Sequence, residues 1–207
     1  MEIRAKEAET LFASAYGIGA EHRVAFRRRL EHLRTYGCPV GLNTGRGRPA
    51  IYNWLQLVQQ TLALDLIDVG LTPERAARLA VGDPLSVQMF AAMLTRLMVD
   101  SAATASKWID ADRWPSEHSL FLYGRLRELA SVSDPNLSVD ATFAIIRGDQ
   151  IAKWNADRAS VETVGIVIDF GQLIASLIKR VAGWTEQSTI KTVKSFYGWA
   201  EAYEFNS

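Results

Sequence analysis

Cysteine and histidine are scarce in this chain of 207 residues, and its formal net charge at pH 7 is zero. A single cysteine, Cys38, excludes an intrachain disulfide and a zinc site built from several cysteines. The three histidines do not stand at the spacing of a metal or nucleophile motif. The carboxylates of Asp140, Asp149 and Asp169 are the remaining catalytic candidates, and their scatter is typical of surface or helix-capping residues. We therefore expect no metal, no cofactor and no enzymatic activity.

Long apolar runs are also missing. The two most apolar stretches, residues 51–69 and 87–99, are interrupted by polar or charged residues and fall short of the ~20 residues that a membrane-spanning helix requires. The N-terminal residues mix acids with bases and lack the apolar segment of a secretory signal. These absences predict a globular, cytoplasmic protein without membrane contact.

Positive charge, by contrast, is concentrated in one segment. Residues 20–50 contain seven arginines and two glutamates, a net charge of +5 within a neutral chain. Lysine and arginine side chains that contact phosphates release condensed counterions, so such a segment favours contact with a polyanion. Nucleic acid is the first candidate.

Hydrophobic periodicity predicts two helices at the start of the chain. Residues 5–16 repeat apolar side chains at i, i+3, i+4 and i+7, and residues 20–36 place Phe26, Leu30 and Leu33 on one side. A short turn containing glycine separates the two helices. This order is the helix-turn-helix pattern, in which the second helix enters the major groove of DNA.

The glycine-rich and proline-rich tract 39–52 predicts a small hairpin, or wing, with Val40 and Ile51 at the ends of its strands. Its GRGRP core also resembles an AT-hook, in which extended arginines lie in a narrow A·T minor groove. Both interpretations bring Arg46 and Arg48 to DNA.

The rest of the chain predicts further helices and a part that contains strands. Helices are expected over about 54–69 and 72–81, followed by one long helix with an apolar stripe over about 84–109. Beyond residue 110 we expect three strands, in residues 119–126, 141–148 and 160–170, and two helices, in residues 171–184 and 185–203. The predicted fold class is mostly α with some β, an α+β protein.

Residues 7–82 resemble the MerR-like winged helix-turn-helix regulators. The resemblance rests on the order of a short helix, a turn, a basic helix, a loop with GRGR before an aromatic residue, and a leucine-rich helix ending in DVGLTPERAARLA. In this comparison Arg46, Arg48 and Tyr52 take the wing positions and Thr72 caps the following helix.

The resemblance implies a homodimer held together by the long helix, with two recognition helices on a pseudo-palindromic site. We divide the chain into a winged helix-turn-helix domain (residues 1–82), a dimerisation helix (83–110) and a small α+β effector or interaction domain (111–207). We expect a sequence-specific double-stranded DNA-binding transcription regulator of bacterial or phage type, associated with the nucleoid. RNA polymerase or another regulator is a candidate partner of the last domain.

The predicted DNA contacts lie on the basic helix and on the wing. They are His22, Arg23, Arg27, Arg28, Arg34, Asn43, Thr44, Arg46, Arg48 and Tyr52. Arg27 and Arg28 are the first candidates for contacts with bases or phosphates, whereas Arg29 and Arg34 are expected to brace the backbone or to form salt bridges.

Two further interpretations stay open. The basic segment could be a solvated face, or it could dock an acidic protein such as a polymerase or sigma-subunit cofactor; the chain would then be a protein-interaction module with only non-specific affinity for DNA. Four aromatic residues near the end, Phe196, Tyr197, Trp199 and Tyr203, indicate either a well-matched groove or a docking face, because one helix seldom buries four aromatic side chains alone.

Overall fold

The computed structural model describes residues 2–42, 50–81, 101–125, 143–153 and 165–204. These residues are mainly helical and carry two small antiparallel sheets. The predicted class, α+β with mostly α, is therefore confirmed. Within the described ranges no helix is both long enough and apolar enough to cross a membrane.

The helices and strands are numbered along the chain. The helices are α1 (Ala5–Ala15), α2 (Arg23–Thr35), α3 (Trp54–Asp68), α4 (Pro73–Val81), α5 (Ala102–Asp110), α6 (Phe170–Trp184) and α7 (Thr189–Glu204). The strands are β1 (Ile3–Arg4), β2 (Ile51–Tyr52), β3 (Leu120–Arg125), β4 (Phe143–Arg147) and β5 (Gly165–Asp169). β1 pairs with β2, and β3 lies between β4 and β5 in an antiparallel sheet. The three C-terminal strands and the two C-terminal helices lie where the sequence predicts them.

Glycines end the first two helices. Gly17 and Gly37 follow α1 and α2 with φ angles of 61° and 79°, a left-handed conformation that glycine adopts without steric cost. The next residue in each case turns its N–H back onto the helix: Ile18 donates to the carbonyl of Ala13 at 2.8 Å, and Cys38 donates to that of Leu33 at 3.1 Å. These turns fix the length of α2 and its position after α1.

The ends of the predicted wing do not pair with each other. Ile51 lies in β2, whose partner is β1 and not the segment around Val40. The N–H of Val40 donates to Gln59 Oε1 at 2.9 Å, and its carbonyl accepts from Gln56 Nε2 at 3.1 Å. Side chains of α3 thus satisfy the backbone groups that a hairpin would use. The hairpin ends were predicted wrongly, and residues 43–49 lie outside the described part of the chain.

The predicted long helix is interrupted. α5 begins at Ala102, and Ser101 before it has an extended backbone. The Ser101 hydroxyl accepts a hydrogen bond from the N–H of Thr104 at 3.0 Å, the usual arrangement of an N-cap. A single helix over residues 84–109 therefore does not form, because Ser101 starts a new one. Residues 82–100 are outside the described ranges.

One core joins the N-terminal and C-terminal parts. Trp54 of α3 is 1% exposed, its ring lies edge-on to that of Phe196 on α7 at 5.2 Å, and its Nε1 donates to Ser195 Oγ at 3.3 Å. The ring of Trp199 packs on Phe196 at 5.5 Å. The groove for these aromatic side chains of α7 is thus supplied by the chain itself. Buried side chains from Ile3 to Phe196 belong to this single core, and the domain boundaries stay a prediction.

Candidate nucleic-acid interface

The basic helix α2 is oriented by three buried side chains. Phe26, Leu30 and Leu33 are 6%, 1% and 0% exposed, as the sequence predicts. Because successive residues of an α-helix are rotated by about 100°, Arg28 lies almost opposite this stripe and Arg29 on one flank. Both arginine side chains are exposed. The helix itself carries five arginines and one glutamate, so its exposed surface is strongly cationic.

Arg27 is held by the neighbouring helix. Its Nε and Nη2 donate to the two carboxylate oxygens of Glu9 on α1 at distances between 2.9 and 3.1 Å. The Glu9 side chain is 16% exposed, whereas that of Arg27 is 55% exposed. Fork-to-carboxylate pairing of this kind fixes the direction of a guanidinium group. In this structure Arg27, a first candidate for base contact, joins α1 to α2.

Tyr52 is a core residue. It is 1% exposed, and its ring meets that of Phe12 edge-on at 6.2 Å. Burial raises the pKa of the Tyr52 hydroxyl, and the positive charge of the nearby Arg34 guanidinium opposes that shift. Because its side chain is buried, Tyr52 does not project as a wing residue would and cannot contact DNA directly in this structure. Arg34 is half-buried beside Tyr52, and its expected role as a brace or salt-bridge partner stays a prediction.

Arg28 and Arg29 are the exposed arginines of α2 that form no ion pair with any residue the structure describes. Arg29, which was expected to brace the backbone or to form a salt bridge, thus joins Arg28 as an accessible cation. A helical projection of residues 23–35 could have placed it there. Of the other predicted helix contacts, His22 is exposed and lies 3.6 Å from Glu21, and Arg23 is half-buried.

Comparison with known proteins adds nothing to this picture. No family model, curated protein or solved structure matches the chain. The resemblance to MerR-like regulators therefore rests on the order of elements and on the wing residues alone.

The wing residues Asn43, Thr44, Arg46 and Arg48 lie outside the described part of the chain. The residues that flank the undescribed stretch 43–49 are anchored on both sides. Leu42 is 6% exposed, and the carbonyl of Ala50 accepts a hydrogen bond from the N–H of Ala5 at 3.0 Å.

The described residues contain no group of three or more side chains that could hold a metal ion. Two of the three scattered carboxylates have structural partners. Asp149 pairs with Arg147 at 3.2 Å, and Asp169 accepts from the N–H of Gln172 at 2.9 Å as the N-cap of α6. Asp140 lies outside the described ranges. What this surface offers is a set of guanidinium groups suited to phosphates or to the O6 and N7 atoms of guanine.

Proposed function

We propose that the chain is a sequence-specific double-stranded DNA-binding transcription regulator of bacterial or phage type. The observation that carries the proposal is the pair Arg28 and Arg29, exposed and without ion-pair partners among the described residues, on a helix that follows α1 through a glycine turn. The pair Glu9–Arg27 supports it, because it holds α1 and α2 in one arrangement.

Two kinds of contact would give affinity and specificity. An arginine that pairs with guanine contributes about 1–3 kcal/mol of discrimination against the wrong base. An arginine that meets only phosphate weakens all duplexes alike when it is removed and lowers the salt dependence of binding by about one counterion. Arg28, which projects most directly outward, is assigned the base contact, and Arg29 on the flank is assigned a phosphate.

We also propose a homodimer, because the helix-turn-helix pattern and the resemblance to MerR-like regulators imply one. Ala105 and Ile109 of α5 are 1% and 2% exposed within one chain, so the end of the predicted dimerisation helix is already covered. A dimer would therefore need another surface. A two-fold operator is its most direct sign, because two related subunits read two half-sites in inverted order.

The test is selection of bound duplexes from a random pool by the full chain at near-physiological salt, followed by sequencing. An enriched inverted repeat is expected, and its spacing gives the separation of the recognition helices. Arg28→Ala should relax the sequence preference at one position of each half-site, and Arg29→Ala should weaken all duplexes alike. Lys191→Ala, which removes an exposed cation from α7, serves as the matched control. Enrichment of a single half-site would contradict the proposed homodimer. If no sequence is enriched, the proposal as a whole is overturned.

A second function, docking of an acidic protein, is favoured by one observation. Val24 is 61% exposed on the same outward side of α2 as Arg28, and an apolar residue among cations suits a protein partner better than a phosphate backbone. Val24→Ser should leave selected duplexes bound but should weaken an acidic protein partner. If scrambled and selected duplexes bind equally, the interaction module becomes the better account.

A further inference from the structure

A cleft of about 360 Å³ opens where the C-terminal ends of α1 and α3 face β5 and the first three turns of α6. Small-molecule sites usually measure about 300–1,000 Å³ and often lie between separately built parts of a protein. None of the predicted DNA contacts lines this cleft. Its walls come from both sides of the sequence, since Tyr16 and Asp65 face Asp169 and Arg180.

Negative charge predominates in the cleft. The lining contains Asp65, Asp68 and Asp169 against the single cation Arg180, a net charge of −2 when all are ionised. Neither Asp68 nor Asp169 has a cation within 4.0 Å in the part of the chain that the structure describes. Arg180 lies over the ring of Tyr16, 5.9 Å from its centroid. The unbalanced charge favours a cationic ligand over an anionic one.

The floor of the cleft is fixed by hydrogen bonds. The Tyr16 hydroxyl donates to Asp65 Oδ1 at 2.6 Å and lies 3.2 Å from the carbonyl oxygen of Thr61. Burial raises the pKa of the Asp65 carboxyl, and the hydrogen bond from Tyr16 and the positive charge of Arg180 oppose that shift. Asp68 is exposed and Asp169 is partly exposed, and they lie on walls from different elements, α3 and β5.

Two apolar side chains flank these carboxylates. Val69 is 51% exposed after α3, and Val167 is 50% exposed on β5, so each presents about half of its surface to the cleft or to solvent. Leu173 continues this apolar lining from α6. Exposed valines beside carboxylates match a ligand that has charged ends and a hydrocarbon middle, because hydrocarbon gains free energy when it leaves water.

We propose that this cleft binds a small aliphatic diamine, with one ammonium group at Asp68, the other at Asp169, and the methylene chain against Val69 and Val167. Two positive charges balance the net charge of the lining. The proposal does not depend on DNA binding. A ligand placed here contacts α1 and α3 on one side and α6 on the other, so it would strengthen the contact between the N-terminal and C-terminal parts.

The experiment is calorimetric titration of the full chain with 1,4-diaminobutane, compared with 1-aminobutane and butane-1,4-diol. The diamine should bind saturably with one ligand per chain. The monoamine should bind about tenfold more weakly, because one hydrogen bond between charged groups is lost. The diol should give no saturable binding.

Two variants locate the ligand. Asp68→Asn and Asp169→Asn should each weaken diamine binding by about tenfold for the same reason. Asp169→Asn keeps the helix cap, since asparagine caps as well as aspartate. Glu117→Gln, an exposed acid outside the cleft, should change nothing. Equal binding of diol and diamine, unchanged binding in both aspartate variants, or an equal response to Mg²⁺ alone would each overturn the proposal.

Discussion

At the scale of single residues, pairing decides which arginines of α2 face solvent. The sequence puts Arg27 and Arg28 first among the five arginines, but Glu9 holds Arg27, and Arg34 is half-buried beside Tyr52. These contacts join residues that are 18 positions apart in both cases, and no local pattern announces them. The burial of Phe26 could be predicted from periodicity, whereas the pairing of Arg27 depends on how two helices cross.

Glu9→Gln should release Arg27. The neutral amide loses the charge-assisted pair, so the guanidinium becomes free to meet DNA. We expect tighter binding of duplexes in general and a salt dependence steeper by about one counterion, with little loss of stability because the arginine is more than half exposed. Fluorescence titration of a labelled duplex at several salt concentrations measures both effects, with Glu117→Gln as the control. Unchanged binding would place Arg27 away from the DNA.

Tyr52→Phe should act on stability and leave DNA affinity unchanged. The substitution removes a buried hydroxyl beside the half-buried Arg34, and the loss of such a polar contact costs about 1 kcal/mol. Urea denaturation measures the free energy of unfolding, and duplex titration of the folded protein measures the affinity. A loss of affinity without a loss of stability would restore Tyr52 as a DNA contact.

Asp65 should make stability depend on pH. Burial raises the pKa of this carboxyl in the folded protein above that of a free aspartate side chain. The folded state therefore binds more protons than the unfolded state between the two pKa values, and stability falls as the pH rises through that interval. Asp65→Asn, whose amide oxygen can still accept from Tyr16, should remove this fall. Denaturation of both proteins from pH 3.5 to 7 measures it, and a difference that does not vary with pH would contradict the shift.

At the scale of elements, local rules predict most helices and strands and miss two connections. Gly17 and Gly37 end helices where the sequence places them, and the apolar runs become the strands of the C-terminal sheet. The pairing of β1 with β2 has no local signal, since nearly fifty residues separate the two strands. Ser101 has no distinct N-cap signal in the sequence, because the alanines after it continue the apolar stripe of the predicted long helix.

The N-terminus of α3 offers a test at this scale. Asn53 Oδ1 accepts from the N–H groups of Leu55 and Gln56 at 2.8 and 3.3 Å, and Gln56 Oε1 accepts from the N–H of Asn53 at 2.8 Å. Asn53→Ala should lower the free energy of unfolding by about 1 kcal/mol, whereas Asn53→Asp should keep the cap. Chemical denaturation distinguishes them. Equal losses in both variants would show that the cap is not the cause.

At the scale of the whole molecule, the contact between α3 and α7 joins the parts that the sequence suggests as separate domains. Phe196→Ala should cost about 3–5 kcal/mol, since a fully buried ring leaves a cavity. Trp184→Ala, at a ring that is 41% exposed, is the matched control and should cost much less. Circular dichroism should show one unfolding transition, and a duplex titration should show that DNA binding is lost over the same transition. An N-terminal part that stays folded and bound to DNA while α7 melts would contradict the shared core.

The packing of α7 on Trp54 also determines when the core can form during synthesis. Trp54 and the Ser195 hydroxyl that it contacts are 141 residues apart, so the ribosome synthesises the tryptophan long before it synthesises α7. A large apolar ring that waits uncovered can associate with other nascent chains or with chaperones. Efficient production in cells should therefore depend on how quickly the ribosome reaches α7, and stalling between the two helices should favour aggregation.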